Sequence, residues 1–184
     1  FMQIRQVVVL ADEPPEVNDL LRDLEARGIE IKRSTASEVL REIASPEGGR
    51  LWGSERLLLF DPNSDSSPPS SVIVREAANC GSAVQIRSDW WGIVMEDLMA
   101  EGRLSEETRR LLAAEALYFC ITRDAEKLSA LQGESPRYLV QAYEKVQELR
   151  YGENWHQRAS LYSKPNGFGL HRAPKLCGKE ISYN

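Results

Sequence analysis

The chain has 184 residues, 42% hydrophobic and 28% charged, with a formal net charge of −5, the balance of an ordinary soluble protein long enough to bury a core. No apolar run approaches the roughly 18 residues that cross a bilayer, and the N-terminus lacks the basic-then-apolar pattern of a secretory signal, so a cytoplasmic protein is expected. Cys80, Cys120 and Cys177 are odd in number and lack paired spacing, which excludes a disulfide framework or a zinc knuckle and leaves reduced thiols, Cys80 and Cys120 as small core residues. Charge is uneven. From His156 onward Arg158, Lys164, Arg172, Lys175 and Lys179 face the single acid Glu180, leaving about −9 on the rest of the chain. An acidic body argues against a general nucleic-acid surface and confines any such contact to the basic tail.

The elements begin with the β-branched run Val7-Val8-Val9-Leu10, which stops at Asp12-Glu13 and Pro14-Pro15. Val17, Leu20, Leu21 and Leu24 then share one helical face up to Gly28, and Ile29 and Ile31 open a second strand. This is half of a βαβ unit, with two carboxylates at the carboxyl edge of the first strand. A short helix over 37–44 ends at Ser45-Pro46-Glu47-Gly48-Gly49, and a third strand over 56–60 runs into Asp61-Pro62. Residues 63–71, rich in Ser, Pro, Asp and Asn, read as an exposed loop. A helix over 72–80 ends at Gly81, and a fourth strand over 83–86 delivers Ser88 and Asp89. Two helical patterns over about 90–115 break at Gly102; their Trp90, Trp91, Ile93, Val94, Leu98 and Met99 form a core face or a surface for a protein partner. Leu117 to Ile121 reads as a fifth strand ending at Thr122-Arg123-Asp124, with a helix over 125–131. Ser135-Pro136 starts a last helix carrying Leu139, Val140, Tyr143, Val146 and Leu149. After Gly152 regular pattern disappears, apart from a hairpin turn at Asn166-Gly167.

Strands alternating with helices imply an α/β fold: a three-layer αβα, flavodoxin-like, five-stranded parallel sheet with an inserted helical pair and a C-terminal helix plus extended tail. The expected organisation is an α/β domain over 3–131, a helix over 135–151 and a basic tail over 152–184.

The segment Leu10-Ala11-Asp12-Glu13-Pro14, with Val17, Leu20-Leu21 and Gly28 behind it, resembles the acidic opening of response-regulator receiver domains. Asp61 falls where that family carries its phosphoacceptor and Ser88 near its conserved hydroxyl, a resemblance that covers about 3–131. It implies Asp12, Glu13 and Asp61 around a magnesium ion that neutralises phosphoryl oxygens, with Ser88 and Arg123 as phosphate contacts. Ala11 in place of an acid, Thr122-Arg123 in place of lysine then proline, and the 90–115 insertion depart from the pattern. They favour a degenerate receiver, a regulatory or adaptor module working through protein contacts at Trp90 and Trp91 or the tail.

The alternative is an enzyme similar to the PIN-like nucleases, also αβα sandwiches, with Asp12, Glu42 and Asp124 as strand-end and helical acids around a divalent metal. A third reading pairs Arg150 with His156 as a ribonuclease couple on one late helix, which Gly152 between them opposes. No glycine-rich phosphate loop follows the first strand, His156 and His171 lack metal-ligand spacing, and no nucleophile elbow is present.

Overall fold

Helices on both faces of a parallel sheet follow from β1, Gln6–Leu10, whose Val7 to Leu10 are all buried. The computed structural model describes residues 3–10, 15–45, 47, 52–60, 69–86, 88–164, 167, 169, 173–174 and 176–178, with the backbone alone for 15, 16, 69, 70 and 88. The chain divides into two compact units, residues 1–123 and 124–184.

In the first unit β1 lies between β2 (Glu30–Ser34) and β3 (Arg56–Phe60), and β4 (Ala83–Gln85) pairs with β3, giving a parallel sheet of order β2-β1-β3-β4. Strand residues alternate between the faces. Val7, Val9, Leu57, Leu59 and Ala83 pack against α1 (Pro15–Ala26), through Leu21 and Leu24, and against α4 (Trp91–Glu101), through Val94, Met95 and Leu98. Val8, Leu10, Leu58, Phe60 and Val84 face the opposite way, onto Val39 of α2 (Ala36–Ile43), Trp52, and Ile73, Val74 and Ala77 of α3 (Pro69–Asn79). The unit is therefore an α/β sheet covered by helices on both sides, as the alternation implied. No described helix is long and apolar enough to cross a membrane.

Local chemistry sets the helix ends. After α1, Ile29 donates its amide to Leu24 O at 3.1 Å around Gly28, whose φ of 83° is a left-handed stop. Thr35 caps α2: its Oγ1 accepts from the Glu38 amide at 3.3 Å, and the Glu38 carboxylate accepts from the Thr35 amide at 2.8 Å. A 3-10 turn over Ser88–Trp90 leads into α4, which closes at Gly102 with φ 65°. The next helix, α5 (Glu106–Gln132), starts where Ser105 Oγ accepts from the Thr108 amide at 3.1 Å and Asp97 accepts from the Ser105 amide at 2.8 Å. Burial works against ionisation of Asp97, but its hydrogen bonds from Thr108 and Ser105 hold the carboxyl below the usual aspartate range.

A partly buried ion cluster ties α2 to the sheet. Lys32 Nζ in β2 donates to Glu42 at 2.6 Å and Arg56 Nη1 in β3 donates to its other oxygen at 2.8 Å, so the carboxylate spans the two strands that flank β1. The Arg56 guanidinium also lies 5.2 Å from the ring centre of the fully buried Trp52. Desolvation raises the Glu42 pKa, but the hydrogen bonds and charges of Lys32 and Arg56 outweigh it, and the carboxyl is held below its ordinary value.

Two expected elements are replaced. Leu117 to Ile121 is not a fifth strand; it lies inside α5, and the sheet has four strands among the described residues. Thr108, Leu112, Ala116 and Cys120 are the buried positions, a spacing of four that only a helix lines up, and no Gly or Pro interrupts the chain before Gly133. β-propensity at Leu117, Phe119 and Ile121 gives way to that stripe. In the second unit, residues 135–151 do not form a helix. Gln132 Nε2 donates to Tyr138 O, and the Tyr138 amide donates to Gln132 Oε1, both at 2.8 Å, which turns the chain out of α5. Glu144–Leu149 then forms β5, antiparallel to β6 (Ala159–Ser163), so the expected extended tail contains a strand. The α3 start precedes the expected one, at Pro69. Gly167 donates to Lys164 O at 2.9 Å, as a turn would require, but Asn166 lies outside the described residues.

Ala116→Leu should cost about 1–3 kcal/mol by overfilling the helix–sheet interface, whereas Leu117→Ala, at a position 55% exposed, should stay within about 0.5 kcal/mol in urea unfolding; a strand at 117–121 predicts no such ranking. Because the folded-state pKa of Glu42 is depressed, its contribution is present above the ordinary value of 4.5 and is lost as pH falls through the lower folded value. The gap in melting temperature between wild type and Glu42→Gln should therefore be full near neutrality and shrink below about pH 4.5; a gap constant across that range would show that charge is not its source.

Candidate functional site

The carboxyl edge of the sheet, where α/β proteins place ligands, is formed by the ends of β1 at Leu10, β3 at Phe60, β2 at Ser34 and β4 at Gln85. Asp12, Glu13 and Asp61, the acids expected to gather there around magnesium, lie outside the described residues. Ser88 opens the 3-10 turn after β4, with its backbone alone described. Arg123, expected as a phosphate contact at the end of a fifth strand, is on α5, its guanidinium 5.5 Å from the Phe119 ring centre one helical turn away. Asp124 is also on α5, and exposed. Glu42 lies on α2 with both carboxylate oxygens engaged by Lys32 and Arg56, a neutralised cluster rather than an open metal ligand. Among the described residues, no group of three or more His, Cys, Asp or Glu is placed to hold a metal. Trp90 and Trp91, considered for a protein partner, are half-buried against the first core cluster with their indole nitrogens out of reach of solvent.

A second set of polar residues is built around the connection between β5 and β6. The hairpin pairs Leu149 with Ala159, so the nine residues Arg150 to Arg158 form one closed loop with Arg150 and Arg158 at its two ends. The loop has its own hydrogen bonds. Gly152 donates its amide to Gln157 O at 2.8 Å, the Gln157 amide donates to Asn154 O at 3.0 Å, and the Asn154 amide donates to Gln157 Oε1 at 3.1 Å. The second of these closes a four-residue turn with Trp155 and His156 at its central positions. Their rings meet edge to face, centroids 5.6 Å apart and planes at 84°. Gly152 is buried, and a Cβ there would lie 3.0 Å from Gln157 Cβ, so a larger residue would require Gln157 to give by a few tenths of an ångström.

The charges at the base of the loop are arranged by the strands. The Arg150 guanidinium lies over the Tyr151 ring, 4.8 Å from its centre, and donates to the Tyr151 hydroxyl at 3.0 Å. Glu148 on β5 is hydrogen bonded by Lys145 and by Ser160 Oγ; these contacts, with the nearby Arg158, hold its carboxyl below the usual glutamate range. Within the loop Arg150 and Arg158 are accompanied in sequence by one acid, Glu153. The arrangement offers planar cationic donors and aromatic surface, the chemistry that recognises a phosphorylated or otherwise anionic ring compound. The helix proposed to carry Arg150 and His156 does not exist; both sit in the loop, at its base and in its turn. Sequence reading missed Tyr151, Asn154, Trp155, Gln157 and Arg158 as members of one structure. The signal was available in two short flanking runs, Lys145 to Leu149 and Ala159 to Ser163, of strand length on either side of a glycine-bearing segment.

Comparison with known proteins covers this same region. The family profile described as AICARFT/IMPCHase bienzyme matches residues 77–184, which include α4, α5, the hairpin and its loop. The bifunctional purine biosynthesis protein PurH of Halalkalibacterium halodurans is 43% identical over 97 residues, 50% of this chain and 19% of the relative. The protein of the same name from Lysinibacillus sphaericus is 42% identical over 104 residues (55% and 20%), and that from Bacillus cereus strain B4264 is 38% identical over 121 residues (61% and 24%). The chain thus spans about a fifth to a quarter of the length of these relatives. These matches overturn the receiver and nuclease readings, which rested on acids at one sheet edge that any α/β fold of this kind can carry. By the match over 77–184, more than half of its length, the chain belongs to the AICARFT/IMPCHase bienzyme family.

Proposed function

We propose that this protein acts in purine biosynthesis, and that its β5–β6 loop contacts a phosphorylated intermediate of that chemistry. The observation that supports the proposal is the loop itself: His156 lies on its hydrogen-bonded turn and Arg150 and Arg158 at its two ends, all within residues 77–184 that the family profile matches. Such intermediates combine a planar nitrogen heterocycle with a phosphate. Arginine is suited to the phosphate, because its guanidinium presents paired N–H donors that match two oxygens at once. Arg150 is held by its ring contact with Tyr151, so less of its side-chain freedom is lost on binding. His156 adds a ring nitrogen that can donate or accept at the tip of the turn. The reading assigns the loop to ligand contact and positioning.

Inosine 5′-monophosphate should bind the protein in calorimetric titration, and Arg150→Gln combined with Arg158→Gln should weaken it by tenfold or more, about 1.4 kcal/mol, with wild-type affinity also falling as salt is added. Undiminished affinity in the double variant would remove the loop from ligand contact. Gly152→Ala should weaken the same ligand by displacing Gln157, while leaving the melting of the first unit unchanged. Equal binding by Gly152→Ala and wild type would mean that the loop's conformation is irrelevant to recognition.

A further inference from the structure

α2 is held to the sheet by fewer buried side chains than any other helix packed on it. Val39 is its one buried residue, whereas α3, beside it on the same face, buries Ile73, Val74 and Ala77, and each of the others buries at least two apolar side chains. Charge makes up the difference. Glu42, one residue from the C-terminal end of α2, accepts from Lys32 Nζ at 2.6 Å and from Arg56 Nη1 at 2.8 Å. The Glu42 and Arg56 side chains are 18% and 12% exposed, so this pair is largely shielded from water and salt. The opposite end of α2 is fixed separately. Ser34 is paired with Leu10 in the sheet, and the capping box of Thr35 and Glu38 closes the first turn with bonds that are entirely local. The ladders that join β1 to β2 and β3 use strand groups alone, so they do not depend on where α2 lies.

We propose that α2 is a latched flap, hinged at Thr35, that swings off the sheet while β1 to β4 stay paired, and that the Glu42 carboxylate is its latch. Opening takes Val39 out of the cluster that holds Val8, Leu58 and Trp52, and it frees Lys32 and Arg56 of the carboxylate they share. The open form presents an apolar strip beside two cations, a surface that the closed form lacks, and anions that compete for Lys32 and Arg56 favour it. The flap lies before residue 77, outside the region that the family profile matches, and does not rest on the reading of the β5–β6 loop.

The test is native-state hydrogen exchange of the full chain at neutral pH, read by mass spectrometry for peptides carrying α2, α3 and β1 over a series of low urea concentrations. In wild type the amides of α2 should exchange faster than those of α3 and β1. Their exchange should also depend less on urea, because an opening confined to one short helix exposes little surface. Glu42→Gln should lower the protection of α2 by roughly tenfold or more, the scale of a hydrogen bond to a charged group. Lys32→Met should lower it by a smaller factor, since Arg56 still holds the carboxylate; it keeps the latch testable if Glu42→Gln fails to fold. If α2 in wild type matches α3 and β1 in both protection and urea dependence, it leaves the sheet only when the whole unit unfolds, and the flap is refuted. If α2 opens locally but neither variant changes its protection, the carboxylate is not the latch, and the proposal is likewise overturned.

Discussion

A strand whose successive side chains are all buried cannot exist at the surface of a protein, and β1 is such a strand, with Val7, Val8, Val9 and Leu10 all removed from water. Each face of the sheet must then be covered, and much of the first unit follows from that requirement. α1 and α4 cover the side of Val7 and Val9, α2 and α3 the side of Val8 and Leu10, and α5 reaches both clusters through Leu112 on one and Ala116 and Cys120 on the other. At roughly 1.5–3 kcal/mol for each large apolar side chain removed from water, these layers outweigh any single polar contact in the unit. The Glu42 cluster is secondary by this measure. It decides where α2 rests, because one carboxylate is shared between cations on the two strands flanking β1.

The second unit is organised by a different principle. A two-stranded hairpin has little apolar area to bury, and here Val146 and Tyr162 are left exposed on its strands. Its order comes from hydrogen bonds, first along the β5–β6 ladder and then within the loop, where Gly152, Asn154 and Gln157 satisfy one another's backbone groups. Trp155 and His156 occupy the centre of a turn whose hydrogen bonds are made by other residues.

Much of the first unit was legible in the amino-acid order. The β1, β2 and β3 runs, the Gly28 stop, the break at Gly102 and the helical layers on both faces all follow from short-range pattern. The run at Leu117 to Ile121 was misleading because aromatic and β-branched residues favour strands, while the burial of Thr108, Leu112, Ala116 and Cys120 shows up only when the whole 27-residue stretch is read at helical spacing. The apolar residues from Leu139 to Leu149 were misleading in the opposite sense. Their spacing suits a helix, but the segment finds its partner in Ala159 to Ser163, ten residues beyond its own end.

By itself the sequence determined the composition of the layers: which runs are apolar on both sides, where Gly and Pro forbid continuation, and that an α/β sheet must result. These are local properties, set by side-chain chemistry within a few residues. Only the tertiary structure decided that 117–121 extends a helix, that 144–149 pairs as a strand, and that Arg150, Trp155, His156 and Arg158 belong to one loop. The reason is that a hairpin ladder and a loop closed by Gly152 and Gln157 depend on pairings between separated segments, whose energies no local pattern contains.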